Sequence, residues 1–121
     1  CVDGKAPAQL QITISGVQNN NCSNCGQYNG TFIANQLSQD PCRYRASLPK
    51  ACGTLDSYLD VEIQGGGMLV RLVIDETGYA NWFRSGWPTP CCSLDETLPL
   101  TFSTSSGFCN TTQATCHVKS L

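Results

Sequence analysis

Charge is scarce in this chain. Charged residues make up 13% of it, about half the share of an ordinary soluble domain. Seven Lys+Arg against nine Asp+Glu leave a formal net charge of -2. Without a basic excess to grip phosphates, nucleic acid is excluded as a partner. No apolar run approaches the roughly 18 residues that a membrane-spanning helix needs. No stretch of about ten residues keeps a helical period, and glycine and proline interrupt throughout. Histidine occurs once, at His117. Hydrophobic residues, at 40% of the 121, are still too many for a disordered chain, and the length suits one domain.

What is abundant is cysteine. The chain carries nine, Cys1, Cys22, Cys25, Cys42, Cys52, Cys91, Cys92, Cys109 and Cys116. A reducing cytosol keeps such residues as thiols, and so many without a metal are rare there. Cys22-Ser-Asn-Cys25 has zinc-ribbon spacing, but no second Cys-x-x-Cys or histidine pair follows, so no metal is assigned. Disulfides in an oxidising compartment fit better. Three N-x-[ST] sequons, at Asn21, Asn29 and Asn110, agree with secretion and attached glycans. Asn29 is the preferred acceptor, because Asn29-Gly30 reads as a turn. Asn21 is the weakest, because Cys22 lies inside its sequon.

An odd number leaves one cysteine free or bonded outside the chain. Cys1, on a terminal arm, is the expected one, and the other eight are expected in disulfides. Cys42 and Cys52 flank a short segment and suggest a local bridge. Cys91 and Cys92 are adjacent, so in a strand they would face opposite ways and take different partners. A chain that opens on Cys1 is expected either to have lost a leader or to begin inside a longer precursor.

The strand pattern is clear in several places. Residues 1–9 read as an extended arm. Leu10, Ile12 and Ile14 then alternate with Gln11, Thr13 and Ser15, which is a half-buried strand. Thr31–Ala34 and Tyr44–Leu48 are shorter candidates. Leu59, Val61 and Ile63 alternate before Gly65-Gly66-Gly67, and Met68–Ile74 follows, which reads as a hairpin. Met68–Ile74 is apolar at nearly every position, so both its faces are expected to be covered. Glu76-Thr-Gly78 turns into a strand at Tyr79–Phe83. Leu98, Leu100 and Phe102 alternate around Pro99, which places that strand at an edge or delays its start. Cys116 and Val118 oppose His117 and Lys119 in a last strand. About eight short strands without a helix give an all-β fold, a disulfide-stapled antiparallel β-sandwich over residues 10–121.

Ile12-Thr-Ile-Ser-Gly-Val17, Asn21-Cys-Ser-Asn-Cys25 and Tyr28-Asn-Gly-Thr-Phe32 resemble the opening of a secreted, cysteine-rich β-module. That module recurs in extracellular proteins of planctomycete bacteria and some eukaryotes. Leu59–Ile63 before a glycine turn, and Ala114–Leu121 at the end, are similar to its middle and close. The resemblance implies a β-rich extracellular module without an assigned activity, found in surface and fibrous proteins. It brings no catalytic residues and no cofactor. The pair Cys91-Cys92 and the arm bearing Cys1 are additions to that pattern.

Catalysis finds no constellation. His117 lies on the polar face of a strand with no evident orienting partner. Asp75-Glu76 and Asp95-Glu96 read as solvated turn charges rather than a glycosidase pair or a calcium site. For binding, Tyr79 and Trp87 sit in an aromatic segment that could stack on sugar rings, while Trp82 reads as core. For assembly, the strand of Leu10, Ile12 and Ile14 follows an arm that could span roughly 26 Å. It is expected either to pair within its own sheet or to add to a neighbour's edge, head to tail, with Cys1 locking the junction. The expectation is a secreted homopolymeric structural protein, with a carbohydrate-binding module as the alternative.

Overall fold

The computed structural model describes residues 7–39, 42–64, 67–75, 77–84, 95–100 and 108–121, with 77–84 as backbone. The strands are β1 (Gln9–Ser15), β2 (Gln18–Asn19), β3 (Gly30–Gln39), β4 (Cys42–Leu48), β5 (Ser57–Gln64), β6 (Gly67–Ile74), β7 (Thr77–Arg84), β8 (Asp95–Pro99), β9 (Cys109–Asn110) and β10 (Thr115–Ser120). Eight of them form one antiparallel sheet in the order β7-β6-β5-β4-β3-β1-β10-β8, and β2 pairs with β9 in a second, small sheet. The all-β, antiparallel, disulfide-stapled expectation holds. The sandwich is built by one curled sheet plus this small second one, because strand twist accumulates across eight strands until the apolar face closes on itself.

Period-two alternation decides which side chains fill the interior. Leu10, Ile12 and Ile14 from β1, Leu59, Val61 and Ile63 from β5, and Met68, Val70, Leu72 and Ile74 from β6 are buried in a single core cluster. Tyr44 and Ala46 on β4 and Cys116 and Val118 on β10 join them. On β6 the second face is covered only in part, since Val73 is buried while Arg71 is exposed. The hairpin read from the glycine run is present, with Val61 opposite Val70. Among the described residues the only helical element is one 3-10 turn, Cys25–Tyr28.

Two strand expectations need correction. Thr31–Ala34 belongs to the first half of a ten-residue strand, β3. Its second half, with Asn35, Gln36 and Gln39, lacks apolar alternation, yet it pairs with β4 through a register shift between Gln36 and Ser38, a bulge that bends the ladder. The Leu98 strand begins at Asp95 and ends at Pro99. It does lie at the sheet edge, where a missing N–H is tolerated.

β1 is an interior strand of this sheet, third from the β8 edge. It pairs with β3 on one side, Ile12 opposite Phe32, and with β10 on the other, Ile12 opposite Val118. The end of the arm is docked as well. Tyr44 Oη donates to the Pro7 carbonyl at 2.7 Å and the Gln36 N–H to the Ala8 carbonyl at 3.0 Å. Beyond β1, Gly16 turns the chain with φ +83°, and a Cβ there would meet the Gln113 carbonyl oxygen at 2.5 Å. Only glycine satisfies both conditions.

Ile12→Ala is expected to lower the unfolding free energy by about 2–5 kcal/mol through the cavity it leaves. Gly16→Ala adds strain and a backbone clash, and its midpoint in a denaturant titration should fall well below that of an exposed control such as Ser47→Ala.

Candidate functional site

Two regions hold the polar and sulfur chemistry of the described residues. The first is the disulfide end. Cys22 is bonded to Cys52 and Cys25 to Cys109, across 30 and 84 residues of sequence. The two bridges touch, with Cys25 Sγ 3.7 Å from Cys52 Sγ and Cys52 Sγ 3.9 Å from Cys109 Sγ. The Asn24 N–H points at Cys22 Sγ at 3.4 Å, and the Cys25 N–H donates to Asn19 Oδ1. The strand after Cys52 is tied in by Tyr28, whose hydroxyl accepts the Cys52 N–H at 3.1 Å and meets Ser57 Oγ at 3.4 Å. Ser57 Oγ in turn accepts the Asp75 N–H, and Asp75 Oδ1 accepts the Leu55 N–H.

The expected bridge between Cys42 and Cys52 is overturned, because Cys52 is bonded to Cys22. β4 carries the chain away from Cys42 over seven residues, about 20 Å of extended strand, so closeness in sequence does not become closeness in space. Cys42 and Cys116, both expected in disulfides, are buried free thiols. Cys42 packs beside Tyr44, and Cys116 lies inward on β10 between Ile14 and Leu98. Burial pushes the Cys116 thiol up to about 12, because an apolar interior disfavours the thiolate. Cys1, Cys91, Cys92 and Trp87 lie outside the described residues. Tyr79 is on β7, opposite Leu72.

The second region is the outward face of the sheet. Arg45 on β4 forms a two-pronged ion pair with Asp60 on β5, at 2.8 and 2.9 Å, and its guanidinium lies 3.9 Å from the Tyr58 ring centre. The hydrogen bond to Asp60 holds the Arg45 pKa above its ordinary value. Arg71 on β6 is also opposite Asp60, and Arg43 is opposite Glu62. A shallow cleft lined by Arg43, Asp60, Glu62, Leu69 and Arg71 runs over these strands. Towards the other edge, hydroxyls replace charges. Thr13 meets Thr31 at 3.2 Å and Ser15 meets Thr115 at 3.0 Å.

His117 lies among these hydroxyls, opposite Thr13, and its Nε2 contacts Asp95 Oδ1 at 2.5 Å. Reading the sequence missed this partner. Asp95 opens β8 instead of sitting in a turn, and the β8–β10 register carries it to His117. The pair is open to solvent, with the Asp95 side chain 68% exposed. Asp75 does lie at a turn, with φ 50°, where its carboxylate binds backbone. An exposed apolar pair, Ile33 and Leu37, interrupts the polar face on β3.

The sequons differ in their surroundings. The Asn29 side chain bonds both backbone groups of Val17, accepting at 2.9 Å and donating at 3.1 Å. A glycan on Nδ2 would leave that nitrogen a single hydrogen for the Val17 bond. Asn110 Oδ1 accepts from the Thr112 N–H at 2.9 Å and hydroxyl at 2.7 Å, which curls the sequon into an Asx turn. Asn21 is exposed.

No family model, no curated protein and no solved structure matches the chain.

Two outcomes follow from this chemistry. Replacing Cys25 and Cys109 together by Ser is expected to cost about 2–5 kcal/mol of stability, read by denaturant unfolding. Cys116 has a folded pKa raised above the 9.0 of an open thiol. Its contribution is therefore complete below that value and is lost as pH rises towards about 12. In that window the unfolding free energy should fall by about 1.4 kcal/mol per pH unit more in the parent than in Cys116→Ala.

Proposed function

We propose that the protein is an extracellular structural module, a subunit of a fibre, coat or adhesive surface. The observation that carries this reading is the pair of touching disulfides. They tie segments up to 84 residues apart into one end of the sheet, a device for persistence in an oxidising setting. Among the described residues no helix is long and apolar enough to cross a membrane, which suits a protein working outside the bilayer. The outward face supports the same reading. Arg45 pairs with Asp60 and His117 with Asp95 across strands, and the hydroxyls of Thr13 and Thr31 and of Ser15 and Thr115 meet, as in a surface built to be wet and stable. The Asn110 turn offers its sequon on a half-buried strand end, and glycans there would add to that surface.

Assembly would use β1 in a different way from simple edge addition. Both edges of β1 are taken by β3 and β10 of its own sheet. A head-to-tail link therefore requires the β1 of one copy to fill the slot between β3 and β10 of the next. The exchanged strand makes the same bonds and buries the same Leu10, Ile12 and Ile14, so the exchange loses no pairing.

A cysteine pair placed at Gln11 and Lys119, which face each other on β1 and β10, tests this. In the exchanging protein, Gln11→Cys/Lys119→Cys placed in a Cys1→Ser background should give a ladder of covalent multimers on a non-reducing gel, absent from Cys1→Ser alone. Light scattering on the native protein should show large particles. Intrachain bridges alone, with a monomeric scattering mass, would overturn the subunit reading.

A further inference from the structure

The metal reading of Cys22-Ser-Asn-Cys25 fails in the sequence for want of a second half-site. The fold supplies one. Cys52 and Cys109 arrive from separate segments: Cys52 joins Cys22 and Cys25 in one sulfur cluster, and Cys109 reaches it through Cys25 and Cys52. A Zn–S bond of about 2.3 Å puts the sulfurs of a tetrahedral site about 3.8 Å apart. The Cys25–Cys52 and Cys52–Cys109 separations are 3.7 and 3.9 Å. Two edges of such a tetrahedron are thus already present between sulfurs that share no bond. Cys22, Cys25 and Cys52 sulfurs all lie within 4.8 Å of one another.

The local backbone fits as well. The Asn24 N–H, two residues beyond Cys22, points at its sulfur at 3.4 Å. A neutral disulfide sulfur draws little from such a donor, whereas a metal-bound thiolate is stabilised by it. The Cys25 N–H is fixed by Asn19, and the Cys52 N–H by Tyr28, so both ligand-bearing segments are oriented by bonds that do not involve sulfur.

We propose that, once its two disulfides are reduced, this cluster is a tetrathiolate site for a soft tetrahedral divalent cation such as Zn2+, held by Cys22, Cys25, Cys52 and Cys109. Each disulfide takes up two electrons and two protons and opens to two thiols. With a phosphine as reductant, the phosphine leaves as its oxide, and water supplies both the oxygen and the two protons. The cation then displaces a proton from each of the four thiols and leaves a doubly negative site. Hard oxygen-seeking cations such as Mg2+ and Ca2+ are excluded by the ligand set. The same end of the fold is closed by two disulfides under oxidising conditions and by one cation under reducing ones. This assignment does not depend on the extracellular reading.

The test reduces the full chain anaerobically with a phosphine, removes the reductant and adds Co2+, then Zn2+. The expected result is one ion per chain, with tetrahedral Co2+ absorption and thiolate-to-metal charge transfer that Zn2+ abolishes. Alkylation and peptide mapping should then show Cys22, Cys25, Cys52 and Cys109 protected with Zn2+ and modified once a chelator is added. If the reduced chain loses its sheet, Zn2+ should restore the β circular-dichroism spectrum. Cys25→Ser should weaken the charge-transfer bands and shift the Co2+ spectrum, and Cys42→Ala should leave both as in the parent. Absence of a tetrahedral Co2+ spectrum, or metal-dependent protection at other cysteines, would overturn the proposal.

Discussion

The pairing of the first strand with the last is the constraint on which the rest of this fold depends. β1 lies between β3 and β10, so the sheet is continuous only when the two ends of the chain meet. Bringing such distant segments together carries a large loop-closure entropy, and folds rich in these contacts form slowly. The Cys25–Cys109 bridge spans nearly the same stretch of chain. It limits the unfolded ensemble at the point where closure is most costly. The backbone pairing and the bridge therefore answer one problem by two routes.

Sulfur and hydroxyl chemistry is distributed around that closure. Inward residues of the large sheet are almost wholly apolar, and two free thiols, Cys42 and Cys116, serve there as small hydrophobic side chains. Outward residues pair across strands, Arg45 with Asp60, Thr13 with Thr31 and His117 with Asp95. The four remaining described cysteines gather where β2, β9, the 3-10 turn and the segment around Cys52 converge. Tyr28 and Asn19 hold the backbone there independently of the sulfur bonds. Such scaffolding lets one arrangement of sulfurs serve either as bridges or as ligands.

Much of the fold was legible residue by residue. The alternation of Leu10, Ile12 and Ile14, the hairpin around the glycine run and the two faces of β10 all follow from the period of two. The second half of β3 was not legible, because Asn35, Gln36 and Gln39 join the sheet through backbone bonds to β4 rather than through apolar side chains. Asp95 read as a turn charge because its acidity says nothing about register. Its role beside His117 arises only when β8 lies against β10.

The sequence by itself determined the class of this protein. Alternating apolar residues, frequent turn residues and many cysteines dictate an antiparallel, disulfide-stapled β domain, since those patterns act locally and need no knowledge of distant neighbours. Only the tertiary structure decided which cysteines meet, which strands flank β1 and which partner His117 takes. Sulfur pairing, strand order and cross-strand contacts depend on how the sheet curls. That curl is set by the sum of many small twists and by burial of one shared face, neither of which any short stretch of sequence contains.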